Sequence, residues 1–339
     1  MSLSTQDTET KAGRRDVVAS LFRFQSLFGL VAVFLVAVIF SPRHDGELLF
    51  LNSDNLFNVV RAVSEIGIMA VGMTFVILVG GIDLSVGAVL GLAAVGSAVL
   101  MVESDFGVAA AVVIVLVIGV VFGFLQGVAS AVFGIQAFIV TLAGMQVARG
   151  LARMWSGGQG VPIAYGDGPG QAPVTFSLLG ERTFNGLVPI PALIFAVVAV
   201  VAIVFLRTSA FSRHVYAIGG NEKAARLSGV PVTRVKVIVF CIAGGLAALA
   251  GIVHAGQLNQ GSPNDGFGYE LDAIAAVVIG GTSLMGGHGT VTGTVAGALL
   301  LGVLNNLLGL HGVDPNVQLL VKGLVIVVAA GLQRLRPTT

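Results

Sequence analysis

The sequence predicts an all-α, polytopic integral membrane protein of about ten transmembrane helices, with both termini in the cytoplasm. Three observations carry that expectation. First, 55% of the 339 residues are hydrophobic and only 10% are charged, against about 25% charged in an average soluble domain. A soluble core could not hide so much apolar surface, so the excess faces lipid or other buried helices. Second, the apolar runs are long enough to cross the hydrocarbon, about 20 residues, and they lack the period-two alternation of a barrel wall. Third, Lys and Arg gather in alternate connections. The 47 glycines fit the same class, because small residues let membrane helices approach closely. A net charge of +1 provides no field for nucleic acid. The single cysteine, Cys241, lies in an apolar run and reads as a small buried hydrophobe.

Ten segments qualify as spans, near 24–41, 62–81, 82–102, 106–130, 138–157, 188–208, 237–257, 269–287, 290–310 and 316–335. The first follows a polar tail at 1–23 and has no clean small-x-small cleavage site after it, so it reads as an uncleaved membrane helix. Residues 24–336 then form a single transmembrane domain, since no loop is long enough for a soluble one. With the N-terminus inside, the inner segments hold Lys11, Arg14, Arg15, Arg23, Arg207, Arg213, Lys223, Arg226, Arg234, Lys236, Arg334 and Arg336, the larger share of the 18 basic residues. The outer connection at 158–187 is rich in Gly and Pro and reads as an irregular exposed segment. A weak internal echo aligns VILVGGIDLSVG (76–87) with AVVIGGTSLMGG (276–287) through both glycine pairs.

The inner connection at 209–236 is the most informative loop. Asn221 is a good N-cap, Glu222 sits where the helix dipole favours a negative charge, and Lys223, Ala224, Ala225, Arg226 and Leu227 favour helix. After Ser228, Gly229 suits the left-handed C-terminal position and Pro231 prevents continuation. A capped helix of about two turns at 221–228 reads as a rigid knob that docks into a partner, with Leu227 as its apolar contact. The plainer reading is a basic loop that only obeys the positive-inside rule.

Ionisable groups near the membrane are functional candidates. Glu65, Glu270 and Asp272 lie close to the outer ends of spans, where they reach water. Asp83 follows Gly80 and Gly81 at a span junction. It is expected first to cap the next helix, with Ser85 in the first turn, and second to line a pathway, because interrupted spans free backbone groups toward a cavity. Lys322 is the deepest charge. Asn305 and Asn306 are placed either to bond between helices or to touch a hydroxylated solute. His254, His288 and His311 lack metal-ligand spacing. No nucleophile–base pair is legible, and no G-x-x-x-x-G-K-[ST] phosphate loop occurs, so neither catalysis nor ATP hydrolysis is expected of this chain.

GGNEKAARLSGVPVTRVK, the following GGLAALAGIV, and GYELDAIAAVVIGGTSLMGGHGTVTGTVAGALLLGVLNNLL resemble the ribose/xylose/galactose-type permeases of bacterial ABC importers, as do GMTFVILVGGIDLSVGAVLGL and FIVTLAGMQVARGL. The resemblance covers the chain from about residue 55 onward. It implies a multi-pass protein of the bacterial inner membrane that pairs with a second copy. It also implies one or two cytoplasmic ATPase subunits holding ATP and magnesium, and a soluble outer binding protein that delivers the solute. The helix at 221–228 would then be the coupling helix. The competing reading is an autonomous secondary transporter or channel, with Asp83 or Lys322 carrying the ion; such a protein needs no docking knob.

Overall fold

The computed structural model describes residues 25–334, apart from 184, 185 and 187. The tail at 1–23, with its four basic residues, and Arg336 lie outside the described residues. Twelve α-helices are found among those described: α1 (Gln25–Ile39), α2 (Ser53–Leu78), α3 (Val86–Val102), α4 (Val108–Ala131), α5 (Ala137–Trp155), α6 (Ile190–Thr208), α7 (Ala210–Gly220), α8 (Glu222–Leu227), α9 (Val232–Leu258), α10 (Tyr269–Ile279), α11 (Val291–Leu310) and α12 (Pro315–Arg334). Five of them, α2, α4, α6, α9 and α11, are long and apolar enough to cross a membrane. The chain is all-α apart from two-residue strand pairs.

The core is built around α9, which packs against α2, α3 and α4. Helix α3 is buried on every side, as an all-apolar helix must be inside a larger bundle. Helices α1, α4, α5, α6 and α12 turn large apolar side chains outward, which suits contact with lipid. The α4–α9 seam is made by glycine. A Cβ on Gly123 would stand 2.1 Å from the Phe240 carbonyl oxygen, and one on Gly119 would stand 2.5 Å from that of Gly244. The spacing Gly119–Gly123–Gly127 is the small-x-x-x-small pattern that brings membrane helices together.

Each expected span contains a helix, but several boundaries differ. Helix α2 starts at Ser53 rather than 62, because Asn52 caps it by accepting from the Asp54 amide. Its polar first turns are satisfied by other chain segments: Asn55 pairs with Asn306 and Arg61 with Gln257. The expected span at 269–287 is helical only to Ile279; Gly281 turns left-handed (φ +89°), and residues 280–290 form a loop. Helix α9 begins directly after Pro231, and the 209–236 connection holds a second helix, α7. Ser209 starts α7 by accepting from the Ser212 amide.

The connections sort to two ends. Those assigned to the cytoplasm, at 79–85, 132–136, 209–231 and 280–290, meet around α7 and α8. At the opposite end, assigned to the outside, the short strands β1 (Val161–Pro162) and β2 (Gln260–Gly261) pair antiparallel, with Val161 facing Gly261. This ties the loop at 158–187 to the one at 259–268. Arg182 pins the same loop to Asp54 at 2.6 Å. Ser228 lies exposed at the inner end. In a Cys241→Ala background, Ser228→Cys should resist an impermeant maleimide in intact cells and react once the membrane is opened; labelling from outside would invert the orientation.

Candidate functional site

Two regions bring polar side chains together on a rigid frame, one at each end of the bundle.

At the inner end, α8 is fixed by both caps. The Asn221 Oδ1 accepts from the Ala224 amide at 3.0 Å. Gly229, at φ +82°, ends the helix: its N–H reaches the Arg226 carbonyl at 3.1 Å, and the Val230 N–H reaches that of Ala225 at 3.0 Å. These two bonds form a Schellman motif. The Glu222 carboxylate accepts from Lys236 Nζ at 2.6 Å and from Arg226 at 3.3 Å, which ties α8 to α9. The Lys236 hydrogen bond, ahead of the nearby charges, holds the Glu222 carboxyl below its ordinary range. A depressed carboxyl contributes its stability above the unfolded-state value, about 4.3, and loses it as pH falls through the folded value. The brace is therefore fully set near neutrality. Lys223, Ala224 and Ser228 are exposed, and Ala225 is buried. Leu227 is 90% exposed, an apolar tip on a stiff, charged stem.

The segment before α8 is locked to two other loops. The Gly287 amide donates to the Leu78 carbonyl at 3.0 Å, and a Cβ on Gly219 would fall 1.8 Å from that same oxygen. Tyr216 Oη donates to the Gly289 carbonyl at 2.8 Å. Thus α7, the end of α2 and the 280–290 loop meet as packed backbone. The glycine pairs of the internal echo lie in these two loops, offset by one residue: Gly80 and Gly281, not Gly280, take the left-handed position after their helices.

Gly80 and Gly81 line an inner cavity of about 340 Å³ together with Glu222, Arg226 and Lys236. Asp83 and Ser85 are buried behind them. The Asp83 Oδ1 accepts from the Ser85 amide at 2.8 Å and its hydroxyl at 2.6 Å, and Gln126 Nε2 donates to Ser85 Oγ at 2.8 Å. Asp83 thus closes an Asx turn ahead of α3 and is not the expected cap: the N-cap position is Ser85, which makes no side-chain cap bond.

At the outer end, α2, α10 and α11 enclose a cavity of about 340 Å³ lined by Asn58, Asp272, Asn305, Asn306 and apolar side chains. Asn306 and Asn55 exchange amide hydrogen bonds at 3.0 and 2.8 Å. Lys322 reaches Asp272 at 3.2 Å. Beside it lies a buried cluster that spacing rules did not reveal. His254 Nδ1 meets Glu65 Oε2 at 2.7 Å, and Nε2 faces Asp265 Oδ2 at 3.6 Å. Arg149 donates to the Pro263 and Asp265 carbonyls. Glu65 is buried, not interfacial as expected from its position, because α2 extends outward and α9 covers it. The only sequence sign was a histidine inside an apolar span, which signals that a partner must exist.

The model of the branched-chain amino acid transport system / permease component family matches residues 55–330. The ribose import permease protein RbsC of Escherichia coli K12 is 42% identical over 324 residues, covering 95% of this chain and 97% of that protein. The xylose transport system permease protein XylH of Haemophilus influenzae is 34% identical, covering 88% of this chain and 93% of its own. The L-arabinose transport system permease protein AraH of E. coli K12 is 38% identical, covering 93% and 92%. No solved structure matches the chain at a significant level. The match spans the core, the four inner connections and the outer cavity: this chain is a membrane-spanning permease of the branched-chain amino acid transport system / permease component family.

Proposed function

We propose that this permease, as a pair of copies, forms the solute pathway of an ATP-driven importer for a pentose. The observation that carries the reading is Leu227: a large apolar side chain, 90% exposed, on a short helix capped at both ends and braced to α9. An exposed apolar tip of that kind fits a groove on a partner. The partner is a separate ATPase that binds ATP and magnesium, and α8, from Asn221 to Gly229, is the element seated in it. A soluble binding protein delivers the solute at the outer end, where the paired loops at 158–187 and 259–268 stand. The pathway runs from the outer end at Asn305 and Asn306 to the inner end at Gly80, Gly81, Asp83 and Ser85. The family description names branched-chain amino acids, whereas the relatives are named for ribose, xylose and L-arabinose, all pentoses, and identity of about 40% along nearly the whole chain favours the latter.

The test is uptake into liposomes carrying the permease, its ATPase and its binding protein, with labelled ribose, xylose, arabinose and leucine offered in turn. Pentose uptake that requires internal-side ATP is the expected result. Uptake by the permease alone, driven by a proton gradient, would establish the secondary-transporter alternative.

A further inference from the structure

Asn305 and Asn306 are neighbours on α11 with opposite situations. The amide of Asn306 is closed by its reciprocal pair with Asn55. The Oδ1 of Asn305 is buried and makes no hydrogen bond within the chain, and it borders the outer cavity. An unfilled buried acceptor is unfavourable, a cost that a bound donor removes. Across the cavity the Asp272 carboxylate is held by Lys322. That pairing cancels its charge yet leaves lone pairs to accept further bonds, since a carboxylate offers about four sites. At the rim, the Asn58 Oδ1 accepts from Arg182 Nη2 at 2.9 Å, which leaves its amide nitrogen as the remaining donor. Val59, Val63 and Leu301 supply an apolar wall.

We infer that this cavity is an outer solute subsite for a neutral polyhydroxylated molecule of pentose size, with Asn305 and Asp272 accepting from its hydroxyls and Asn58 donating to one. Its volume, about 340 Å³, lies within the range of small-molecule sites, about 300–1,000 Å³. Two acceptors, a donor and an apolar wall match a ring that presents hydroxyls on its edge and C–H groups on its face. Asp272, the charged side chain in the lining, is neutralised by Lys322, so a zwitterion would find no free counter-charge and would have to break the Asp272–Lys322 pair. Asp272 lies in the first turn of α10 and Asn305 in the second-last turn of α11, which puts the subsite on the entry side. The inference rests on the importer reading and adds the residues that select the solute.

The experiment uses the full chain in liposomes, with Ala62, an exposed cavity-lining residue, replaced by cysteine in a Cys241→Ala background. The rate of maleimide labelling is followed against D-ribose, with L-leucine as comparison. Ribose should slow labelling in a saturable way and leucine should not. Asn305→Leu should raise the ribose concentration for half-protection about five- to tenfold, the loss expected for one hydrogen bond, while Asn305→Gln should retain most of the protection. No protection by ribose, xylose or arabinose, equal protection by leucine, or an unchanged concentration in Asn305→Leu would each overturn the subsite. ATP-driven uptake by the complete transporter is measured on the same variants. Uptake without protection rejects the subsite and leaves the importer; protection without ATP-driven uptake rejects the importer and leaves the subsite.

Discussion

Leu227→Asp is expected to abolish coupled transport while leaving the permease folded. Because the side chain is 90% exposed, replacing it removes almost no packing within the chain, so the amount of protein in the membrane should match wild type. At an interface the same change removes a buried apolar anchor and places a charge in its groove. Anchors of that kind contribute about 2 kcal/mol or more, which is roughly thirtyfold in affinity. The stimulation of ATP hydrolysis by loaded binding protein should therefore disappear in reconstituted membranes, and uptake should fall with it. Ala224→Gly gives an independent arm. It is exposed, so its cost is helix propensity alone, about 1 kcal/mol, which is large for a helix of 6 residues. Ala225→Gly is a less clean choice, because Ala225 is 5% exposed and also loses contacts. By contrast, Glu222→Gln should weaken coupling only partly, since a half-exposed ion pair contributes about 0.2–1 kcal/mol. Full stimulation in both Leu227→Asp and Ala224→Gly would reduce α8 to a basic connector.

Much of this arrangement was legible in the sequence, and what was not has identifiable physical reasons. Both ends of α8 could be placed because Asn221, Gly229 and Pro231 act locally, through bonds closed within a few residues. The ten apolar segments could be placed because burial in lipid or protein imposes composition on a whole run. The segment at 269–287 misled: its mean hydropathy is that of a span, yet Gly281 stops the helix at Ile279. Gly286 and Gly287 of the 280–290 loop pack against α7 and the end of α2, while Met285 stands 87% exposed. Helix α7 went unseen because its only strong signal, the Ser209 cap, sits at the end of an apolar run that masks it. The glycine seam Gly119–Gly123–Gly127 was readable in spacing, but its partner, the Val237–Gly244 stretch of α9, was not. Pairings such as Glu65–His254 and Asp272–Lys322 join residues 189 and 50 positions apart, and nothing in one sequence links them. Asp83 shows the limit from the other side. Its charge and the glycines before it allowed both a cap and a pathway role, and its bonds to Ser85 are geometry that spacing alone could not distinguish.

Gly219→Ala should do the most damage of any single methyl group added to the inner loops. The new Cβ would lie 1.8 Å from the Leu78 carbonyl oxygen, 2.3 Å from the Gly287 nitrogen and 3.0 Å from the Gly287 Cα. All three are backbone atoms, so no side-chain rotation relieves the clash. Two of them form a hydrogen bond, Gly287 N–H to Leu78 C=O at 3.0 Å, and the methyl would stand between them. Relief requires α7 to move away from the end of α2, or the 280–290 loop to move away from both. Overpacking of this kind costs about 1–3 kcal/mol, and a displaced α7 also moves α8 two residues beyond it. The neighbouring Gly220 is the internal control, since a Cβ there meets nothing within 4 Å. Gly220→Ala should match wild type in thermal stability in detergent, in membrane abundance and in stimulated ATP hydrolysis. Gly219→Ala should lose stability, and the protein that remains should show weakened stimulation, because the knob is then seated on a displaced stem. Identical behaviour of the two variants would mean that the three loops are not in backbone contact, and that force from α8 reaches the membrane helices through the Glu222–Lys236 brace alone.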